Sequence, residues 1–374
     1  MQDNQDAAGA DERKIQSPDR WKDLRYYVLT ICLASAGGWL FSYLQTPVPW
    51  MLGSLTATGI AAMSNVRTAM PRKLHAPTIT LMGAILGSAF TPQVLEHVSR
   101  MLVSLIGLAI YLAVAGACCY LYFRKVAGFD RVTAYFSGLP GGVVEMVVMG
   151  AERGGDDRMI ALIHAARIFL VVMVLPFLIL TMTGATSVDR TLSFVPLSSF
   201  DLTNLTWFAG CSVAGYLAAS WIKVPARLML WPMIFSMIVH LAGWDTFNVP
   251  TVLVSAVQVI MGAMIGTRFA GVSHTTLLRV LKLSVGSTSI LLGVTAILAF
   301  AVSLLAPAIG MEALILAYSP GAIAEMSVLA LALGYEIPFV VLHHVARIFM
   351  IVSTAGAVFS VFFRDRAAHS SPSE

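Results

Sequence analysis

Gly138-Leu-Pro-Gly-Gly-Val-Val-Glu145-Met146 reads a second time as Tyr318-Ser-Pro-Gly-Ala-Ile-Ala-Glu325-Met326. Nineteen residues beyond each glutamate stands a histidine, inside the words His164-Ala-Ala-Arg167-Ile-Phe169 and His344-Val-Ala-Arg347-Ile-Phe349. Laid over one another at an offset of 180 without a gap, residues 138–170 and 318–350 share 12 identities in 33 positions. Similarity at one long fixed period marks an internal duplication. Weaker matches continue it. Gly83-Ala-Ile-Leu-Gly87-Ser-Ala-Phe90 answers Gly262-Ala-Met-Ile-Gly266-Thr-Arg-Phe269, and Pro47-Val-Pro-Trp-Met-Leu-Gly53 answers Pro225-Ala-Arg-Leu-Met-Leu-Trp231. The expected organisation is a disordered cytosolic tail over 1–25, membrane repeats over 26–185 and 204–363, and a second cytosolic tail over 364–374.

Composition assigns the solvent. The 374 residues are 57% apolar and 12% charged, with a mean hydropathy of +0.79, where soluble domains carry about 25% charged residues. Residues 1–25 hold eleven of the 44 charges and 364–374 hold four, so the 338 residues between them share 29. Apolar runs over 102–123, 160–182 and 283–309 reach the ~20 residues that cross a ~30 Å hydrocarbon core as helix. Outer-membrane barrels alternate in short segments and read differently. The first 25 residues lack an apolar core and a cleavage site, so they are not expected to be a signal peptide. Four cysteines inside apolar runs suggest neither disulfides nor a metal site, and scattered basic residues argue against nucleic acid.

Each repeat contains six apolar segments, at about 26–45, 48–64, 76–91, 101–123, 133–150 and 159–183, then 204–222, 228–243, 251–268, 283–306, 312–332 and 337–363. The fifth is interrupted by Pro140-Gly141-Gly142 in one repeat and Pro320-Gly321 in the other. Lys and Arg collect on the cytoplasmic side of membrane proteins. If all six segments cross, 14 Lys/Arg fall inside and eight outside. If the fifth dips in and returns, 20 fall inside and only Arg100 and Arg190 outside, with Arg167 and Arg347 left within the membrane. The expected fold is therefore an all-α polytopic membrane protein: an inverted-topology duplication with five transmembrane helices plus one re-entrant or broken segment per repeat. Interrupted segments at matching positions are a signature of secondary transporters, with the site at the repeat interface.

Charge at membrane depth costs several kcal/mol and generally marks function. Each repeat offers a carboxylate, an imidazole and a guanidinium: Glu145, His164 and Arg167, then Glu325, His344 and Arg347. Backbone groups freed at Pro140, Gly141, Gly142, Pro320 and Gly321, together with two Arg forks, suit a small anion such as a carboxylate. The glutamates suit a coupling H+ or Na+, and the histidines a proton relay. A structural alternative stands beside this, in which Glu145 neutralises Arg167 and Glu325 neutralises Arg347. His75, His97, His240 and His343 are read as interfacial or satisfied within the core. The G-x-x-x-G pairs Gly83/Gly87 and Gly262/Gly266 serve packing within the chain or a homodimer, the former preferred. Trp39, Trp50, Trp207, Trp221 and Trp244 mark segment ends. No cofactor or metal is expected. The partners expected are the lipid bilayer, a small solute and H+ or Na+, and no nucleic acid.

The doubled words Leu139-Pro-Gly-Gly-Val-Val-Glu-Met146 and Ser319-Pro-Gly-Ala-Ile-Ala-Glu-Met326, each followed by its His-x-x-Arg-Ile-Phe, resemble the bacterial AbrB membrane-protein family over about 26–363. The resemblance implies a multi-pass inner-membrane protein with both termini cytoplasmic. Labels used in that family add two alternatives to ion-coupled transport of a small solute: a regulator of gene expression and an ammonia monooxygenase. The latter needs a metal centre, which two Glu and two His would have to supply in competition with neighbouring arginines.

Overall fold

A computed structural model describes residues 20–90, 98–183 and 195–363; His97, Arg190 and the expected tails at 1–19 and 364–374 lie outside the described residues. Fourteen α-helices and no strand occur among the described residues. The first half of the chain contributes α1 (Arg20–Tyr43), α2 (Pro49–Met63), α3 (His75–Gly87), α4 (Val98–Lys125), α5 (Arg131–Gly138), α6 (Val143–Ala151) and α7 (Asp157–Thr183). The second contributes α8 (Leu202–Trp221), α9 (Arg227–Leu241), α10 (Thr251–Gly266), α11 (His274–Leu305), α12 (Met311–Tyr318), α13 (Ile323–Leu333) and α14 (Ile337–Phe363). The first helix starts at Arg20 rather than at 26, so its opening turns are made by residues expected in the tail.

Among the described residues six helices, α1, α4, α7, α10, α11 and α14, are long and apolar enough to cross a membrane. Their large apolar side chains are widely exposed, from Leu102 and Ile106 on α4 to Ile297, Phe300 and Leu304 on α11. In water such a surface would be a liability; against lipid tails it is the expected outer face. Trp39, Trp221 and Trp244 are among the exposed aromatics.

The fifth segment of each repeat is two short helices. Proline lacks an N–H and drives the preceding residue out of the α region. Leu139 and Ser319, each just before the proline, are accordingly extended and end α5 and α12. The first pair folds back on itself, because the Asp156 amide beyond α6 donates to the Thr133 hydroxyl in the first turn of α5 at 2.9 Å. In the second pair Gly310 and Ala313 at the start of α12 share a cavity of about 310 Å³ with Gly334 and Tyr335 at the end of α13. Both broken segments are hairpins.

Between the repeats, α2 packs on α10 and α3 on α9 through the G-x-x-x-G words. A β-carbon on Gly83 or Gly87 would collide with the carbonyl oxygens of Met229 or Met233, and one on Gly262 or Gly266 with Ser54 or Thr58. These glycines let two backbones touch inside one chain. The turns that launch α2 and α9 also match, for Val48 and Ala226 are both in the left-handed region, with φ of 45° and 55°. That conformation costs a residue with a β-carbon roughly 1–2 kcal/mol.

Replacing Gly87 by Val should destabilise the detergent-purified protein by an amount typical of overpacking, roughly 1–3 kcal/mol, and so lower its thermal midpoint. Gly293→Val should leave it unchanged, since nothing lies within 4 Å of that position. A scanning-fluorimetry melt of both variants reads the difference.

Candidate functional site

Ending a helix at Gly138 or Tyr318 leaves its last carbonyls without amide partners. In the first hairpin, Leu139 N donates to Tyr135 O at 3.2 Å. Three further carbonyls are met from α7. His164 Nε2 contacts Phe136 O at 2.9 Å, and the Arg167 fork donates through one nitrogen to Leu139 O at 3.0 Å and through the other to Ser137 O. The second hairpin repeats the pattern from α14: His344 Nε2 reaches Leu316 O at 3.0 Å, and Arg347 donates to Ser319 O at 2.6 Å and Gly321 O at 2.5 Å. At the offset of 180, His344 and Arg347 Nη1 choose the equivalents of the atoms His164 and Arg167 choose. The histidine and the arginine, three residues apart, share one helical face and act as one cap.

This changes the role expected of the arginines. Both are almost fully buried, 1% and 2% exposed, and their terminal nitrogens are engaged by backbone oxygens rather than by Glu145 or Glu325. Among the described residues the one ion pair is Glu152 with Arg153, at 3.8 Å. A fixed cluster of carbonyls at a helix C-terminus carries the negative partial charge that a guanidinium needs. The histidines are held likewise. His344 Nδ1 faces Arg347 Nη2 at 2.7 Å and can only accept there, so its proton sits on Nε2 and goes to Leu316 O. In this conformation the ring is a neutral strut and leaves no nitrogen for a proton relay. His343 and His240 are satisfied inside the core, the first by Phe339 O at 2.7 Å and Ser104 at 2.8 Å, the second by Ser236 O and Phe247 O.

The glutamates occupy the opposite ends of the breaks, in the first turns of α6 and α13. Glu145 is half-buried and curls over Gly142, where a β-carbon would strike its carboxylate. Glu325 is 7% exposed, and its Oε2 accepts no hydrogen bond. A buried carboxylate oxygen without a donor calls for a proton or a cation. Gly141 and Gly321 each press on the methionine of their own hairpin, Met146 and Met326, so the two turns are tightly filled.

The buried Tyr111 of α4 stacks on Tyr318, the last residue of α12, with ring centroids 5.9 Å apart. Arg268, just beyond α10, interacts electrostatically with Glu325, His164 and His75. Sequence reading counts Arg268 only as one loop charge of many. The signal was its place in the repeated word, where the first repeat has Ala89.

Two cavities flank α10. One of about 370 Å³ is lined by Val48, Ser88, Asn248, Thr251, Gln258 and Leu331, among others. Another of about 410 Å³ is lined by Val143, Arg158, Ala165, Arg268 and Val272. Thr251 opens α10 and Arg268 follows its end, so the cavities lie at opposite ends of that helix. Among the described residues no three His, Cys, Asp or Glu side chains converge as a metal set.

The family model described as transition state regulatory protein AbrB matches residues 50–363. The uncharacterized protein YhjN of Bacillus subtilis (strain 168) is similar at 28% identity, over 86% of this chain and 89% of its own length. A protein of Escherichia coli (strain K12) named as a candidate AbrB regulator is similar at 22% identity, over 85% of this chain and 91% of its own length.

Arg347→Gln should destabilise the protein by several kcal/mol, because two buried carbonyls lose their donors at roughly 1–3 kcal/mol each. Arg347→Lys should recover part of that, since an ammonium lacks the fork that bridges two oxygens. Thermal melts of the two variants beside Glu325→Gln, which breaks no cap, separate this role from an ion pair: equal losses in the Arg and Glu variants would contradict it.

Proposed function

The chain belongs to the AbrB family, and we propose that this member is a secondary transporter coupling a small solute to H+ or Na+ at its paired hairpins. The observation that carries the reading is the pair of Pro-Gly breaks, each capped by the same His-Arg device. Non-helical backbone at membrane depth requires protein cover or a wet cavity. Val143 of the first hairpin lines one cavity, and Leu331 and Ala332 of the second line the other. Val143 stands at the break of the first hairpin and Leu331 near the far end of the second, and a cavity toward each end of α10 suits alternating access. Glu325 carries the coupling ion, with Glu145 as its partner in the first repeat; His164, Arg167, His344 and Arg347 hold the hairpins in shape.

An inverted duplication in a bacterial inner membrane, with both termini cytoplasmic, accompanies this reading. It is supported by the Asn65 and His274 side chains, which meet at 3.0 Å. Six helices and one returning hairpin separate these residues, an even number of crossings. Arg279 likewise donates to Ala127 O at 3.2 Å, which draws basic loops of both repeats to one end. The name carried by the Escherichia coli relative suggests a regulator instead. Regulation alone gives no reason for two opposed cavities.

Reconstituted in proteoliposomes with solutes found to raise its melting temperature, the protein should accumulate at least one of them under a pH or Na+ gradient. Glu325→Gln should abolish the dependence on that gradient while the protein still inserts. Gradient-driven uptake that survives both Glu325→Gln and Glu145→Gln would remove the glutamates from coupling. For topology, Glu152→Cys and Glu336→Cys in a cysteine-free background should label from opposite faces with an impermeant maleimide. The adjacent Gly154 and Gly334 are unsuitable, having φ of 81° and 74°.

A further inference from the structure

The terminal nitrogens of Arg167 and Arg347 are committed to carbonyls, so an anionic solute must find its positive charge elsewhere. The cavity of about 410 Å³ supplies it. Arg158 and Arg268 line it from the start of α7 and the turn after α10, and no carboxylate shares the lining. Elsewhere Arg124, Arg153, Arg227 and Arg279 each donate to a backbone carbonyl. Among the described residues the side chains of Arg158 and Arg268 have no hydrogen bond or ion pair. The acidic group felt by Arg268 is Glu325, which it attracts without a hydrogen bond. Glu145, in the first turn of α6 beside the cavity, already answers that helix end, so the arginines are what remains to bind.

We propose that this cavity binds a small oxyanion, a carboxylate or a phosphate, between Arg158 and Arg268. Guanidinium forks match the paired oxygens of both groups, and the volume lies within the range of small-molecule pockets. The site belongs to one end of the molecule alone. At the repeat-equivalent positions stand Ala89 and Pro338, and the opposite cavity has a neutral polar lining that includes Ser42, Ser88, Asn248 and Gln258. If the protein transports as proposed above, this is where an anionic solute enters or leaves at the basic end. Attraction between Arg268 and Glu325 then links its arrival to the coupling carboxylate.

The same chemistry is carried by free anions and by anionic lipid headgroups, and one experiment separates them. Full-length protein in phosphatidylcholine nanodiscs is melted against succinate, citrate and inorganic phosphate at constant ionic strength, with chloride as the control. Wild type should show a saturable rise with at least one oxyanion. Arg268→Gln and Arg158→Gln should each weaken the apparent affinity tenfold or more, Arg268→Lys should weaken it less, and Arg72→Gln should leave it unchanged. In nanodiscs containing phosphatidylglycerol, an Arg158- and Arg268-dependent rise with no response to free oxyanions assigns the site to a headgroup phosphate. Native mass spectrometry of wild-type protein with phosphate gives a bound stoichiometry that needs no variant to fold. No saturable response to any of these probes, or one that persists in the double Gln variant, overturns the proposal. Oxyanion binding without any solute transport would leave this site standing and remove the transport reading; transport without Arg-dependent binding would do the reverse.

Discussion

A helix broken at membrane depth must find donors for the carbonyls at its end, and the rest of the molecule is arranged around that demand. Water is absent there, and an unmet carbonyl costs several kcal/mol. The Pro-Gly turns create the problem at Phe136–Leu139 and Leu316–Gly321, and one His-Arg face on the following long helix solves it in each repeat. Helix polarity then sorts the charges. Arginine settles at the C-terminal end of the first half-helix, where the partial charge is negative. Glutamate settles at the N-terminal start of the second, where it is positive. The arginines are answered by backbone, so acid and base need not pair, and the glutamates keep capacity for an ion.

The second constraint is steric. Glycines on α3 and α10 let each helix lie against the backbone of its partner from the other repeat, α9 or α2. This interlock joins the two halves of the chain through four helices of 13 to 16 residues. It also sets Arg268, immediately after the glycine word, at the cavity it lines with Arg158. The matched left-handed turns at Val48 and Ala226 indicate that the entry angle of α2 and α9 is worth local strain.

Much of this was legible in the sequence. The doubled words mark matching breaks, and charge placement favours returning hairpins, because a polypeptide in lipid leaves few places for Lys and Arg. The intramolecular use of G-x-x-x-G was also readable as the preferred alternative. Partner choice was not. Spacing of three puts His164 and Arg167 on one face but does not say what that face meets, and a glutamate 22 residues upstream looked as good a partner as any. Backbone oxygens leave no trace in residue identity, so the caps became visible only in three dimensions. Arg268 was hidden for a related reason: a charge at a segment end reads as a loop residue until packing turns it toward a cavity. The lone Arg in a repeated word that elsewhere has Ala was the available clue.

The central claim is that each broken segment enters and returns as a hairpin held by its His-Arg cap. Pulsed electron paramagnetic resonance on protein reconstituted in lipid, with spin labels at positions 131 and 152, measures it directly across the first hairpin. A re-entrant segment predicts a distance well below the ~30 Å thickness of the hydrocarbon core. A distance at or above ~30 Å would mean that the segment spans the membrane, and would contradict the account.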